Sequence, residues 1–152
     1  MKKSEDVIRR FRQEGYKITP QRRAIFEILF EHENHPNAED IYKEMKVRMP
    51  DVSRMTIYNT LNELKALELV DVVHIVGDDV TRYDPKTEVH DHLYCLNCNR
   101  IIDVESAGND RQIPEEKLAG FQVLKQQITF FGYCPDCQKI IRDSKNAQQM
   151  DD

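Results

Sequence analysis

An α+β fold is what this chain predicts, on three observations. Its first 67 residues carry apolar side chains at helical spacing between clear capping signals. Two β-rich runs around a Gly-Asp turn follow, and the remainder is built of short β-rich runs studded with cysteine, histidine and aspartate.

The helical half can be taken in order. Ser4 caps a short first helix that ends at Gly15. Thr19 then Pro20 is a start signal, a cap hydroxyl followed by proline at the first helical position, and Ala24, Ile25, Ile28 and Leu29 continue at helical spacing. His35-Pro36-Asn37 breaks that helix and opens a third, AEDIYKEMKVRM, which stops at Pro50. Ser53 caps a fourth, on which Ile57, Leu61, Leu64 and Glu68 share a face that is apolar until its last turn. Next come VDVVHIV, GDD and VTRYD, a hairpin. Helices closed by a two-stranded hairpin predict a winged-helix domain over 1–84.

Residues 85–88, PKTE, are expected to be a hinge, and 89–152 a second, small α/β domain. There LYCLN, RIIDVE and FQVLKQQITFFGY predict strands, with a short helix near PEEKLAG and a polar, frayed tail after Ile141. So small a unit has little core of its own and calls for a structural metal or a dimer partner.

Composition narrows the class. At 152 residues, 32% charged and 39% apolar, the chain suits a soluble protein, and no apolar run approaches the roughly 18 residues of a membrane span. The basic start MKKSEDVIRRFRQEG lacks the apolar core of a secretory signal, so a cytoplasmic location is expected, with thiols kept reduced. The net charge of −5 is unevenly spread: residues 1–67 hold 13 Lys and Arg against 11 Asp and Glu, and residues 68–152 hold 9 against 16. A basic front suits nucleic acid and an acidic back suits divalent cations, although solvated surfaces often show such bias.

Val89 to Asp103 reads VHDHLYCLNCNRIID, and every His, Asp and Cys in it can bind a metal. Cys95-x-x-Cys98 and Cys134-x-x-Cys137 can surround one tetrahedral ion, for which zinc is favoured; four sulfurs leave no open position for catalysis. The rivals are disulfides, an iron–sulfur cluster, or a redox CPDC motif, which here lacks a strand-to-helix βαβ context. His90 and His92 alternate on an extended segment and point to one side, Asp91 to the other, and Asp103 ends the adjacent strand. Imidazole and carboxylate suit iron, manganese, nickel or zinc; a polar strand edge is the plain alternative. His35 in HPN and Asp84 in RYDP, taken singly, are turn residues.

On the fourth helix, the side away from the apolar stripe offers Ser53, Arg54, Met55, Thr56, Tyr58, Asn59 and Asn62, types that can contact bases and phosphates in a major groove. Lys17, Arg22 and Arg23 can hold the backbone. A solvated helix face is the alternative.

Taken together, ITPQR (18–22), HPNAEDIY (35–42), SRMTIYNTL (53–61), RYD (82–84), HDHLYCLNC (90–98), IID (101–103) and GYCPDC (132–137) resemble the ferric uptake regulator family of bacterial metal-dependent repressors, from about Tyr16 to Cys137. The resemblance implies a winged-helix domain, a hinge, a dimerising C-terminal domain, and a homodimeric repressor bound to an inverted-repeat duplex. It raises His35 and Asp84 to ligands of a regulatory site with His90, His92 and Asp103, where Fe(II) or Mn(II) clamps the two domains in one orientation.

Aspartate at 84 and 103, with Asn59 after the recognition tyrosine, is similar to the peroxide-sensing branch of that family. In that branch ferrous iron reacts with hydrogen peroxide, an oxygen is added to a ligand histidine, here His35 or His90, the metal is lost and repression ends. Peroxide would thus be a signal, not a substrate. HDH, through Asp91, instead resembles the iron-uptake branch, so an iron-acquisition regulator is the alternative. An additional site of that branch looks incomplete: Asp91 and Asp110 match two ligands, but Val89 and Gln126 stand where histidines belong. A zinc-dependent hydrolase is the rival from another class. Five protein ligands leave little room for substrate, and no nucleophile–base pair lies nearby, so no enzyme is expected.

Overall fold

A computed structural model describes residues 4–32, 34–105 and 113–148, with side chains described up to 144. The chain forms two compact units that divide between Glu88 and Val89.

Unit 1 runs α1 (Ser4–Gln13), α2 (Pro20–Glu31), α3 (Ala38–Arg48), α4 (Arg54–Ala66), β1 (Asp71–Val73) and β2 (Arg82–Asp84). Each start follows from its cap. The Thr19 side chain accepts from the Arg22 amide ahead of Pro20, and Asn37 and Asp40 form a reciprocal capping box. Ser53 accepts from the Thr56 amide. Gly15, at φ 86°, ends the first helical turn-out, where the Tyr16 amide bonds back to Phe11 O at 3.1 Å. The apolar stripes meet in one core of Ile8, Phe11, Phe26, Leu29, Ile41, Met45, Ile57, Leu61 and Leu64, all fully or almost fully buried. Glu68 departs from the expected stripe: it lies beyond the α4 cap Leu67, at φ 54°, because the helix closes at Ala66. The hairpin is antiparallel, pairing Asp71 with Asp84 and Val73 with Arg82.

Because Leu61 is 0% exposed at the centre of this core, Leu61→Ala should cost about 2–5 kcal/mol. Urea unfolding monitored by helix content checks it; a loss under about 1 kcal/mol would mean that α4 is not held by this packing.

Unit 2 runs β3 (Asp91–Cys95), β4 (Ile101–Val104), a 3-10 turn (Glu115–Lys117), β5 (Thr129–Gly132) and α5 (Pro135–Gln148). Its sheet has the order β4-β3-β5, antiparallel on one side of β3 and parallel on the other. Three expectations need correction. The long run 121–133 is a strand only over Thr129–Gly132, since β3 offers β5 a short length of parallel partner. The tail after Ile141 is helical through Gln148, continuing α5, with Arg142 Nε bonding Gln138 O at 3.2 Å. CPDC does follow a strand and open a helix, with Pro135 at the start of α5. Asp110 lies outside the described residues.

Candidate metal centres and nucleic-acid surface

The four cysteines converge, each offering a sulfur within 4.8 Å of the others. Two local devices bring them there. The first pair sits on the turn after β3, where Asn99 takes φ 58° and its amide bonds Cys95 O at 2.9 Å. The second pair straddles the start of α5, whose first turn carries Cys137. Leu96 N donates to Gly132 O at 2.8 Å, which ties the two segments together. All four thiols are free, and Cys98 Sγ stands 3.8 Å from Cys134 Sγ. A disulfide needs about 2.05 Å. A tetrahedron with sulfur about 2.3 Å from zinc has edges of about 3.8 Å. The donor set therefore fits a structural zinc.

Local hydrogen bonds polarise this cluster. Burial of the Cys95 thiol opposes ionisation, but amide donors from Cys134, Cys98 and Asn97 outweigh it and lower its pKa to about 6. Asn97 Nδ2 donates to Cys137 Sγ at 3.2 Å and favours its thiolate, yet burial and the neighbouring sulfurs push that thiol up to about 12. Four crowded thiolates repel one another, and a dication relieves that repulsion. Asn97 was not anticipated; a lone Asn within CxxC carries no signal of where its amide points.

The harder donors are prepared separately in each unit. In unit 1, Tyr83 N donates to Pro36 O at 3.0 Å, which lays the HPN turn along β2. His35, buried and at φ 49°, thereby brings Nε2 to 3.4 Å from Asp84 Oδ2. A non-glycine residue in the left-handed region is uncommon and marks a position the surroundings dictate. Asp84 Oδ1 accepts from Lys86 N at 2.8 Å, which leaves Oδ2 for the histidine.

In unit 2, register does the work. His92 pairs with Asp103 across β3 and β4, and Nε2 lies 3.7 Å from Asp103 Oδ1. His90 Nε2 approaches the same oxygen at 3.3 Å, and the two imidazole centroids are 4.5 Å apart. Gln127 Nε2, 3.4 Å from His92 Nδ1, holds the ring on its other edge. His90 and His92 are buried and Leu93 is exposed, as the twofold alternation of a strand requires. Imidazole with carboxylate is a donor set that fits ferrous iron or manganese. Asp91 is half-buried and Val89 is 84% exposed.

On α4, Arg54, Met55, Tyr58, Asn59 and Asn62 are exposed, as is Lys17 before α2. Arg22 does not join them. Its guanidinium donates to Glu63 at 2.7 Å and to Lys17 O at 2.8 Å, and it lies over the Phe11 ring at 5.3 Å, so it braces α2 against α4. Arg23 pairs with Glu5 at 2.7 Å. Ser53 and Thr56 bond each other at 2.9 Å within the α4 cap. Sequence spacing could not separate the two arginines from the open groups, because their acidic partners lie on other helices.

The family model of the ferric uptake regulators, described as "Ferric uptake regulator family", matches residues 13–131. The peroxide operon regulator of Bacillus subtilis (strain 168) is 35% identical over 139 residues, which cover 89% of this chain and 93% of that one. A structure on peroxide sensing and gene regulation by PerR from Streptococcus pyogenes superposes with a TM-score of 0.53 at 29% identity, covering 91% of this chain and 95% of the other. The Helicobacter pylori ferric uptake regulator Fur, with three functional metal-binding sites, shares the fold at a TM-score of 0.72 and 24% identity, over 90% and 95% of the two chains. With the family model spanning most of its length and a relative 35% identical across 89% of it, this chain belongs to the ferric uptake regulator family.

Proposed function

We propose that this protein is a cytoplasmic, metal-dependent transcriptional repressor that binds an inverted-repeat operator as a homodimer and responds to hydrogen peroxide. The observation that carries this is the pairing of buried histidine with aspartate in both units: His35 with Asp84, and His90 and His92 with Asp103. The five together are proposed to hold one Fe(II) or Mn(II), with residues 85–88 as the hinge between a DNA-binding and a dimerising domain. Cys95, Cys98, Cys134 and Cys137 are proposed to hold zinc.

Each element has a stated part. Asp84 and Asp103 supply carboxylate donors to a site otherwise lined by imidazoles. Gln127 orients His92. Lys17, Arg54, Tyr58, Asn59 and Asn62 face the duplex, with Arg23 at the margin, whereas Arg22, Ser53 and Thr56 act through the fold. Ferrous iron, when bound, would supply cleavage of the hydrogen peroxide O–O bond, one oxygen ending on an adjacent histidine, which is oxidised by two electrons, and the other leaving as water. His35 and His90 are the candidates for that modification. A metal that prefers the closed arrangement by about 10⁴-fold shifts its population from 1:99 to 99:1, and losing a ligand histidine reverses this.

Dimer formation has support in the sheet. Ile102, Leu93 and Phe130 are register partners across β4, β3 and β5, and all three are 42–46% exposed. His92 and Asp103 lie one residue along, on the opposite face. One face of the sheet thus serves the metal and the other leaves an apolar row for a second copy. Among the described residues no helix is long and apolar enough to cross a membrane.

Intact mass of anaerobically iron-loaded protein after a brief, low peroxide dose tests the proposal, with manganese-loaded protein as control. A gain of one oxygen on peptides holding His35 or His90, with iron alone, is expected. An unmodified chain that is demonstrably iron-loaded would turn the assignment to iron-acquisition control without peroxide sensing.

A further inference from the structure

Arg54 opens α4 and is bound in an unusual way for a residue facing a duplex. Nε donates to Glu39 Oε2 at 3.1 Å and Nη2 to Glu39 Oε1 at 3.0 Å, while the guanidinium carbon sits 4.1 Å from the centroid of the Tyr42 ring. Glu39 and Tyr42 belong to α3. The guanidinium is therefore held along one edge by a two-pronged carboxylate and on one face by an aromatic ring. Both charges are stabilised by the pairing, which lowers the Glu39 pKa and raises that of Arg54. The pair stays in water, with 58% and 43% of the two side chains exposed, so it contributes little to folding. It fixes a direction instead. An arginine fork has five N–H donors, and the side edge used here leaves the end edge unspent. Nη1 has no partner among the described residues.

We propose that Glu39 and Tyr42 are positioning residues that aim Arg54, so that its free edge takes a planar pair of acceptors on duplex DNA, either the O6/N7 edge of a guanine or two oxygens of a phosphate. The proposal rests on the DNA-binding assignment above and adds to it a specificity-determining residue and its support. Met55, Tyr58 and Asn59 are exposed on the same helix, so the fork would act beside them. Holding the fork in place before contact removes the entropy of ordering a long side chain.

The sign of one substitution separates aiming from masking. Glu39→Gln removes a negative charge beside a polyanion, which by charge alone tightens binding. Aiming predicts the reverse, about threefold to tenfold weaker binding, because the amide grips the fork poorly. Arg54→Ala should weaken binding by about tenfold to a hundredfold. Arg54→Lys keeps the charge but cannot fork, and should recover little of that loss.

The measurement uses full-length, manganese-loaded protein and the duplex it selects from a random-sequence pool, titrated at several salt concentrations. Thermal unfolding checks that each variant folds. The expected result is that Glu39→Gln weakens binding and loses its effect in an Arg54→Ala background. If the acceptor is a phosphate, Arg54→Ala also lowers the slope of log affinity against log salt by about 0.9. If it is a guanine, the slope holds and the loss is confined to duplexes that keep that base pair. Tighter binding by Glu39→Gln, full activity in Arg54→Lys, or an unchanged Glu39→Gln effect without Arg54 each overturns the proposal. Should the unaltered protein select no duplex, the DNA-binding assignment itself fails, and this proposal with it.

Discussion

Cys137→Ala should dissolve unit 2 while leaving unit 1 folded. Among the described residues of unit 2, the buried apolar side chains besides the cysteines are Tyr94 and Ile101. Burying one such side chain contributes about 1.5–3 kcal/mol, which cannot offset the entropy of ordering two β-pairings and a helix. A structural zinc in a small domain supplies apparent binding energy of about 10–16 kcal/mol at neutral pH. The thiolate cluster is thus the largest single support of that unit. Zinc content and amide hydrogen exchange measure the effect. Zinc should be lost and the amides of β3, β4 and β5 should exchange at least about a hundredfold faster, while α2 to α4 keep their protection. Native protection in β3 to β5 after zinc loss would show that the sheet is held by something else.

His92→Ala should abolish the response to regulatory metal without unfolding either unit. His92 is 2% exposed and shares the Asp103 oxygen with His90, so its removal takes a donor from the centre of the proposed set. Losing a group that merely orients a ligand costs about 10–100-fold in metal affinity, and losing the ligand should cost more. Manganese titration by calorimetry, followed by duplex binding at a fixed manganese level, reads both quantities. Gln127→Leu should fall between the unaltered protein and His92→Ala, since it removes only the 3.4 Å contact behind the ring. Zinc content should stay constant in both variants because no cysteine is touched. A His92→Ala protein that still binds manganese at native affinity would remove His92 from the site.

Much of this was legible in the residues alone because the signals are local. Thr19-Pro20, Asn37 with Asp40, and Ser53 announce their helices through side chains that satisfy the first free amides of the helix itself. Two CxxC pairs announce a tetrahedral thiolate site because two residues between ligands suit one ion. HDH followed by IID gave the placement but not the role: alternation on a strand puts His90 and His92 on one side and an adjacent strand supplies Asp103, which a polar strand edge would do as well. The extent of β5 was not legible, because a strand ends where its partner's free edge ends and no local residue records that limit.

The roles of the arginines were decided at the tertiary level. Arg22 and Arg54 look alike in the chain, both near the start of a helix in a basic stretch. Packing gives Arg22 to Glu63 and two aromatic rings, and leaves Arg54 with one edge open. The partners lie 41 and 15 positions away, on other helices, so no helical or strand periodicity links either pair. His35 is the same case: its backbone sits at φ 49° because Pro36 and Asn37 are laid along β2, and that contact exists only in the folded unit. The sequence by itself thus determined which groups are available and the helices and strands that carry them, through contacts a few residues apart. Which of those groups are spent on the fold and which are left open was decided by the tertiary structure, because the partners of Arg22, Arg54 and His35 are brought within about 4 Å only by chain closure.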